Sequence, residues 1–371
     1  SFSSVVLENI LKESLEKLNP HVPGYARKEA FERIINLGTS DLMVNNEKFH
    51  TYLTDGITVE FFNDGETRNE IVKLMDVKNP ENNVFTAVNQ FVIKENNIEK
   101  RLDVIIFING LPVVVAELKN ALDEKATLDK AFTQIGNYKK AVPSIFYYNN
   151  LCIISDWLDT RCSSVSAPFS RYLAWKWPKE RQEEITPELQ MMAEEMLKKE
   201  VLVNLIRYNT VFETEEYKDE ETWLIKQIKI KKVAAYHQYY AVQKAVKETL
   251  RATHETDWDQ KIWVVWHTQG SWKSLSMVFY TWQVVVEPEM KNPTIVILTD
   301  RNDLDDQLFA TFWNCQSLLR QKPVQATSRS HIKELLKVTG WGIIFTYIQK
   351  FSPEEWNVFE TLSERKNIVV V

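Results

Sequence analysis

Three residues on two neighbouring apolar segments carry the most visible chemistry in this sequence. Asp103 opens the run "DVIIF", and Glu117 and Lys119 close the run "VVVAELK". Strand alternation places Glu117 and Lys119 on one face and Leu118 on the other. The intervening "ING-LP" reads as a hairpin turn, which brings Asp103 beside Glu117. Two carboxylates so placed can share a hard divalent cation with waters and a phosphate oxygen, the setting Mg²⁺ adopts. Such a cation lowers the pKa of a bound water and offsets transition-state charge. A neighbouring lysine can orient that water or stabilise the charge developing on the phosphoryl group. This is the chemistry of hydrolytic phosphodiester cleavage. Gln134 and Tyr138 lie one helical turn apart further along the chain, placed to hold a DNA backbone or to brace the carboxylates. The plainer alternative is a salt bridge at a hairpin end. An acid and a lysine buried among apolar runs are costly without a function, which favours the nuclease reading.

A second constellation follows the apolar "VVW" in "HTQGSWKSLSM". A loop between a strand and a helix N-terminus is where phosphates are cradled by backbone N–H groups. Here the loop comprises Thr268, Gln269, Gly270, Ser271 and Trp272, followed by Lys273 and Ser274. Lys273 would reach the β- and γ-phosphates, and the Ser274 hydroxyl would ligate Mg²⁺. Trp272 conflicts with this reading, because that position normally needs glycine for close approach to phosphate. The alternative is an ordinary strand–turn–helix. Two further features favour a nucleotide-driven motor. Gln238 lies on a helix before the first strand, where an adenine-recognising glutamine belongs. Thr299, Asp300 and Arg301 end the run "ILTD", where a DNA-backbone-contacting loop belongs.

The elements that must position these residues divide into two rhythms. Helical apolar spacing covers 3–17 and 27–37. From about 57 to 119 the pattern is that of strands, chiefly 84–93, 101–110 and 111–120. A helix at 125–141, a strand at 151–156 and a charged helical stretch at 187–207 follow. The acidic run 213–222 reads as a linker, with a basic patch at 225–232 after it. Beyond a boundary near 225, strands and helices alternate: helix 234–250, strand 262–266, helix 273–286, strand 294–300, helices 302–312 and 329–337, and strands 342–348 and 367–371. That alternation predicts a parallel α/β sheet.

Composition narrows the class. The 371 residues, 44% hydrophobic and 26% charged, suffice for two domains with ample cores. No apolar run reaches membrane-span length and no signal pattern opens the chain, so a cytoplasmic location is expected. Cys152, Cys162 and Cys315 offer neither a disulfide framework nor zinc spacing. A net charge of −6 argues against a protein that merely coats nucleic acid, but leaves room for an enzyme with a local basic groove.

The chain resembles the restriction (R) subunit of type I restriction–modification enzymes. The matching stretches are "RLDVIIFINGLPVVVAELKN", "QIGNYKK", "SAPFSRYLAWK", "KVAAYHQYYAVQKAV", "VVWHTQGSWKSLSM", "VILTDRNDLDDQLF" and "IIFTYIQKF". They run from about residue 60 to the end in the family's order. The resemblance implies an α/β chain with a PD-(D/E)xK endonuclease domain at 1–225. The first part of a RecA-like superfamily 2 translocase would occupy 226–371, stopping before the D-E-A-H box. By it, Asp103, Glu117 and Lys119 are the Mg²⁺-dependent nuclease core, with Gln134 and Tyr138 as its Q-x-x-x-Y motif. Gln238 becomes the adenine contact and Gln269–Ser274 the ATP-binding loop. Thr299, Asp300, Arg301 and Thr346 become motor residues that touch DNA. Double-stranded DNA and separate methyltransferase and specificity subunits are the implied partners. Without the D-E-A-H acid, this stretch alone is not expected to hydrolyse ATP. Two other readings stay open. One is a helicase–nuclease of DNA repair. The other is a catalytically inactive assembly module that holds DNA or subunits through Lys226–Lys232.

Tryptophan usage is anomalous. Glycine is 9 of 371 residues against a usual share of roughly 7%, while all 12 tryptophans lie at or after position 157. The family resemblance implies glycine at Trp272, near Trp157 and Trp313, and at Trp263 and Trp282, but tryptophan at Trp266. Independent loss of several such glycines would damage one turn or packed contact after another. A source that reads UGA as glycine, with the sequence translated as though UGA were tryptophan, would account for both the deficit and the excess; the alternatives are a decayed gene, or a motor whose loop tolerates the change.

Overall fold

The segment Leu111–Leu118 is buried at every residue but its last. Such a strand must lie inside a sheet covered on both faces, and the first half of the chain is built around it. The computed structural model describes residues 4–63, 65–119, 127–178, 186–218, 223–254, 261–262, 264–265, 273–300, 302–319, 321–338, 342–351 and 363–371. The chain divides into two units, Ser1–Thr210 with Glu215–Ala235, and Val211–Thr214 with Tyr236–Val371.

The first unit opens with helices α1 (Glu8–Leu18), α2 (Gly24–Ile35) and α3 (Leu42–Asp55) and an antiparallel pair, β1 (Ile57–Asn63) and β2 (Glu66–Val72). The main sheet follows: β3 (Phe85–Glu95), β4 (Ile98–Ile108), β5 (Leu111–Leu118), then helix α4 (Leu128–Ala141), then β6 (Leu151–Ser155) and β7 (Thr160–Ser163). Its strand order is β3-β4-β5-β6-β7. All pairs are antiparallel except β5 with β6, which run parallel because α4 lies in the connection between them. Asn109 and Gly110, at φ 53° and 82°, make the tight β4–β5 turn. At Gly110 a Cβ would meet the Leu7 carbonyl oxygen at 2.5 Å, so only glycine lets the start of α1 sit against this turn. Helices α5 (Glu188–Met191), which continues into a π-helical turn, and α6 (Lys199–Tyr208) precede the two-stranded sheet of β8 (Thr210–Lys218) and β9 (Ile225–Val233).

The linker expected at 213–222 is therefore a strand over much of its length. Its charges are compatible with one because they pair across the ladder, Lys232 with Glu215 at 3.1 Å and Gln227 with Glu216 at 3.0 Å. The expected basic patch is β9, and Lys231 within it is only 2% exposed. Its Nζ donates to Asn46 Oδ1 at 3.0 Å and to the Asn149 carbonyl at 2.8 Å.

The second unit holds α7 (Tyr236–His254), α8 (Lys273–Val286), β10 (Thr294–Thr299), α9 (Asn302–Asn314), α10 (Gln316–Leu319), β11 (Val324–Gln325), α11 (Arg329–Lys337), β12 (Gly342–Tyr347) and β13 (Ile368–Val370). The sheet order is β11-β12-β10-β13 and every pair is parallel. Val296, Ile344, Ala326, Ile332 and Leu336 form one core cluster between this sheet and α11. The strand expected at 262–266 is not formed at its described positions, Ile262, Val264 and Val265. Val264 is 86% exposed there and lacks the ladder neighbour that a strand requires. Positions 263 and 266 lie outside the described residues.

No helix among the described residues is long and apolar enough to cross a membrane. All three cysteines are free thiols. Trp157, in the β6–β7 turn, stands at φ 80° and 63% exposed, a left-handed backbone that favours glycine.

Candidate active site

The β4–β5 register pairs Val104 with Ala116, so the next step outward sets Asp103 against Glu117. The two carboxylates are held differently. Asp103 is half-buried. Its Oδ2 accepts the Leu118 backbone N–H at 2.9 Å, and its Oδ1 accepts from Gln90 Nε2 on β3 at 3.3 Å. Glu117 is 3% exposed. Its Oε1 accepts from Lys119 Nζ at 2.5 Å. Its Oε2 is buried and accepts no hydrogen bond of ordinary geometry, although the Tyr138 phenol is close enough to bear on the carboxylate. Lys119 lies just past the end of β5, where its backbone N–H donates to the Ser155 carbonyl of β6 at 2.8 Å.

Helix α4 closes the site from one side. Its N-cap, Thr127, accepts the Lys130 N–H, and its buried face carries Leu128, Ala131, Ile135 and Tyr138. Tyr138 therefore points inward, and its hydroxyl donates to the Arg101 carbonyl on β4 at 3.2 Å. Gln134, one turn earlier, and the Glu117 carboxylate both bear on the same phenol. All five residues expected from the sequence, Asp103, Glu117, Lys119, Gln134 and Tyr138, thus converge at one end of β4, β5 and α4. Gln90 was not anticipated. Its signal is the pair Asn89-Gln90, two polar residues in succession that break the alternation of "VFTAVNQFVI".

Burial pushes the Glu117 carboxyl above its ordinary value, the Lys119 hydrogen bond pulls it back, and the Asp103 charge raises it again. Burial, with the Glu117 and Asp103 charges adding to it, holds the Tyr138 phenol up at about 12. Tyr138 is therefore a neutral donor at physiological pH. No group of three or more Cys, His, Asp or Glu side chains able to hold a metal occurs among the described residues. The site instead offers two carboxylates, one with an orphaned buried oxygen. That donor set fits Mg²⁺, which keeps several waters and takes one or two carboxylates.

In the second unit the expected residues fall into two groups. Lys273 and Ser274 form the first turn of α8. Gln238 on α7 is buried and donates to Ser276 Oγ at 3.3 Å, so α7 brings it within a turn of that helix start. Thr268, Gln269, Gly270, Ser271 and Trp272 lie outside the described residues, as does Arg301. Thr299 and Thr346 meet at the carboxyl ends of β10 and β12, where Thr299 Oγ1 donates to the Thr346 carbonyl at 3.5 Å. The Thr346 side chain is fully buried. The Asp300 carbonyl accepts from Gln349 Nε2 at 3.2 Å.

Comparison with known proteins places both units. Residues 1–171 match the family model described as type I restriction enzyme R protein N terminus. Residues 237–371 match the model of the SWI2/SNF2 ATPase. The endonuclease subunit of the type I restriction enzyme HindI from Haemophilus influenzae is 43% identical over 376 residues, covering 100% of this chain and 35% of the relative. The MjaIXP endonuclease subunit from Methanocaldococcus jannaschii is 30% identical, covering 100% of this chain and 36% of the relative. The chain thus spans about a third of the length of these relatives. The chain belongs to the family of type I restriction enzyme R proteins.

Proposed function

We propose that the first unit is a PD-(D/E)xK endonuclease that hydrolyses phosphodiester bonds in double-stranded DNA with Mg²⁺. The observation that carries this reading is the buried Glu117 Oε2, which accepts no hydrogen bond of ordinary geometry on a carboxylate set opposite Asp103 by the β4–β5 register. An anionic oxygen without a donor is expensive to bury, and a shared cation would relieve that cost. Asp103 and Glu117 would hold the ion, and Leu118 and Gln90 would fix the Asp103 carboxylate. When bound, Mg²⁺ supplies Lewis-acid polarisation and a more acidic water. Lys119 would shift a hydrogen bond from Glu117 to the phosphate oxygens as charge develops there. The attacking water oxygen would form a bond to phosphorus as its proton passes to solvent, and the bond to the leaving sugar oxygen would break, that oxygen taking up a proton from solvent. Gln134, half-buried beside Tyr138, would hold the DNA backbone.

The second unit would be the start of a RecA-like, ATP-driven translocase. Lys273 would meet the β- and γ-phosphates, Ser274 the accompanying Mg²⁺, and Gln238 the adenine. Thr299, Asp300 and Arg301 would follow the DNA backbone, with Thr346 supporting them from β12. The match of residues 237–371 to an ATPase family supports this reading. In the whole protein, translocation would precede cleavage away from the recognition site, with modification and specificity subunits as partners. The names of the relatives favour restriction over DNA repair. Engagement of Lys229, Lys231 and Lys232 within the fold, with Glu47, Asn46 and Glu215, weighs against the assembly-module reading.

The test is cleavage of plasmid DNA by the restriction complex carrying this subunit, with and without divalent cation. Cleavage is expected to require Mg²⁺ or Mn²⁺ and to fall at least about a thousandfold in Lys119→Ala and Glu117→Gln. Undiminished cleavage by either variant would contradict the assignment.

A further inference from the structure

Gln90 stands in the left-handed region at φ 52°, on a strand whose neighbouring residues are regular. Asn89 pairs with Val104 and Phe91 pairs with Leu102, but Gln90 itself drops out of the ladder opposite Asp103. A non-glycine residue at positive φ inside a strand is strained, and such strain collects at functional sites. Here the distortion aims the carboxamide at the carboxylate that the ladder position faces, with Nε2 donating to Asp103 Oδ1 at 3.3 Å. The Leu118 N–H takes the other oxygen at 2.9 Å from the opposite side. Asp103 is thereby clamped between β3 and β5, one donor on each oxygen, and each oxygen keeps a lone pair. Gln90 is exposed and also lines an open groove with Ser4, Val6 and Glu8 near the start of α1.

We propose that Gln90 is a positioning residue that sets the carboxylate plane of Asp103 for a divalent cation. The proposal rests on the nuclease reading of the Asp103–Glu117 pair. Donors that orient a metal-binding carboxylate typically alter metal affinity by 10- to 100-fold. A residue that merely shaped the strand would leave affinity unchanged.

The test is calorimetric titration of the full chain with Mn²⁺, in the wild type and in Gln90→Ala, Gln90→Gly and Asp103→Asn. Gln90→Gly removes the carboxamide while relieving the backbone, so a folding defect cannot account for weakened binding in that variant. Both Gln90 variants are expected to bind Mn²⁺ about tenfold more weakly, with Gln90→Gly melting higher than Gln90→Ala, and Asp103→Asn is expected to abolish binding. Wild-type affinity in Gln90→Gly, with binding still lost in Asp103→Asn, would overturn the role of Gln90 and leave the nuclease reading standing. No Mn²⁺ bound by the wild type, or none lost in Asp103→Asn, would overturn both.

Discussion

The backbone N–H of Leu118 donates to Oδ2 of Asp103 at 2.9 Å, so the carboxylate of one strand caps the end of the next. Both Asp103 oxygens accept, one from Leu118 and one from Gln90. An asparagine has only one accepting oxygen and would turn an N–H₂ toward one of these donors. Asp103→Asn is expected to cost about 1 kcal/mol of stability, the usual cost of a lost and opposed hydrogen bond. Urea denaturation of the two proteins measures it, and equal midpoints would show that the clamp contributes nothing to the fold.

Tyr138 combines a buried ring with a phenol held up at about 12. It cannot serve as a base near neutrality. Tyr138→Phe is expected to reduce cleavage by roughly 10- to 100-fold through lost positioning, with the pH–rate profile unchanged in shape between pH 6 and about 9. A limb of that profile that vanishes with the hydroxyl would show Tyr138 titrating during turnover.

Lys231 gives the fold a pH dependence of known sign. Burial lowers its pKa to about 7 from the ordinary 10.5, with Cys152 opposing. Its proton is therefore bound more weakly in the folded chain than in the unfolded one. Between about pH 7 and 10.5 the unfolded state carries the extra proton, so stability rises with pH through that window. Neighbouring His50 is also held well below its ordinary value by burial and by the charges of Lys231 and Arg207, so its contribution is lost only at lower pH. The wild type is expected to gain on Lys231→Met by about 1 kcal/mol per pH unit between pH 7.5 and 9.5. Denaturation curves of the two proteins at those pH values provide the test, and parallel behaviour would mean that Lys231 stays charged.

Trp157 at φ 80° occupies a turn in which Asp156 and Asp159 hydrogen-bond to each other through backbone and side chain. An L-residue in this region costs about 1–2 kcal/mol relative to glycine. Trp157→Gly is therefore expected to stabilise the fold by about 1 kcal/mol, and thermal melting measures the shift. Recoding of UGA makes a further prediction for the native source. The tryptic peptide 262–273 should weigh as glycine at 263 and 272 and as tryptophan at 266. Three tryptophans in that peptide, or UGG codons at 263 and 272, would contradict recoding.

The parts of the fold that sequence foretold are those where one side chain reports its own environment. The apolar β5, the Asn109-Gly110 turn and the inward face of α4 followed from periodicity and turn chemistry, and they carry Glu117, Asp103 and Tyr138 to one place. Helix α3 was missed because Asn45, Asn46 and His50, polar by type, are buried in it. Asn46 satisfies the Phe146 and Asn149 carbonyls at 2.7 Å each, a partnership about 100 residues away that no local pattern announces. The β8 and β9 strands escape a local reading for the same reason, since their charges are met across the ladder, Lys232 by Glu215, or by distant residues, Lys229 by Glu47 and Lys231 by Asn46. Gln90 needed the backbone to be seen, because its role depends on its positive φ rather than on spacing.

The most direct test of a shared cation is crystallographic. Crystals of the chain soaked in Mn²⁺ should show anomalous density beside an Asp103 carboxylate oxygen and Glu117 Oε2. Density at that position, lost in Glu117→Gln, is the predicted result. An empty site at saturating Mn²⁺, with Glu117 Oε2 still unpartnered, would contradict the metal-dependent nuclease.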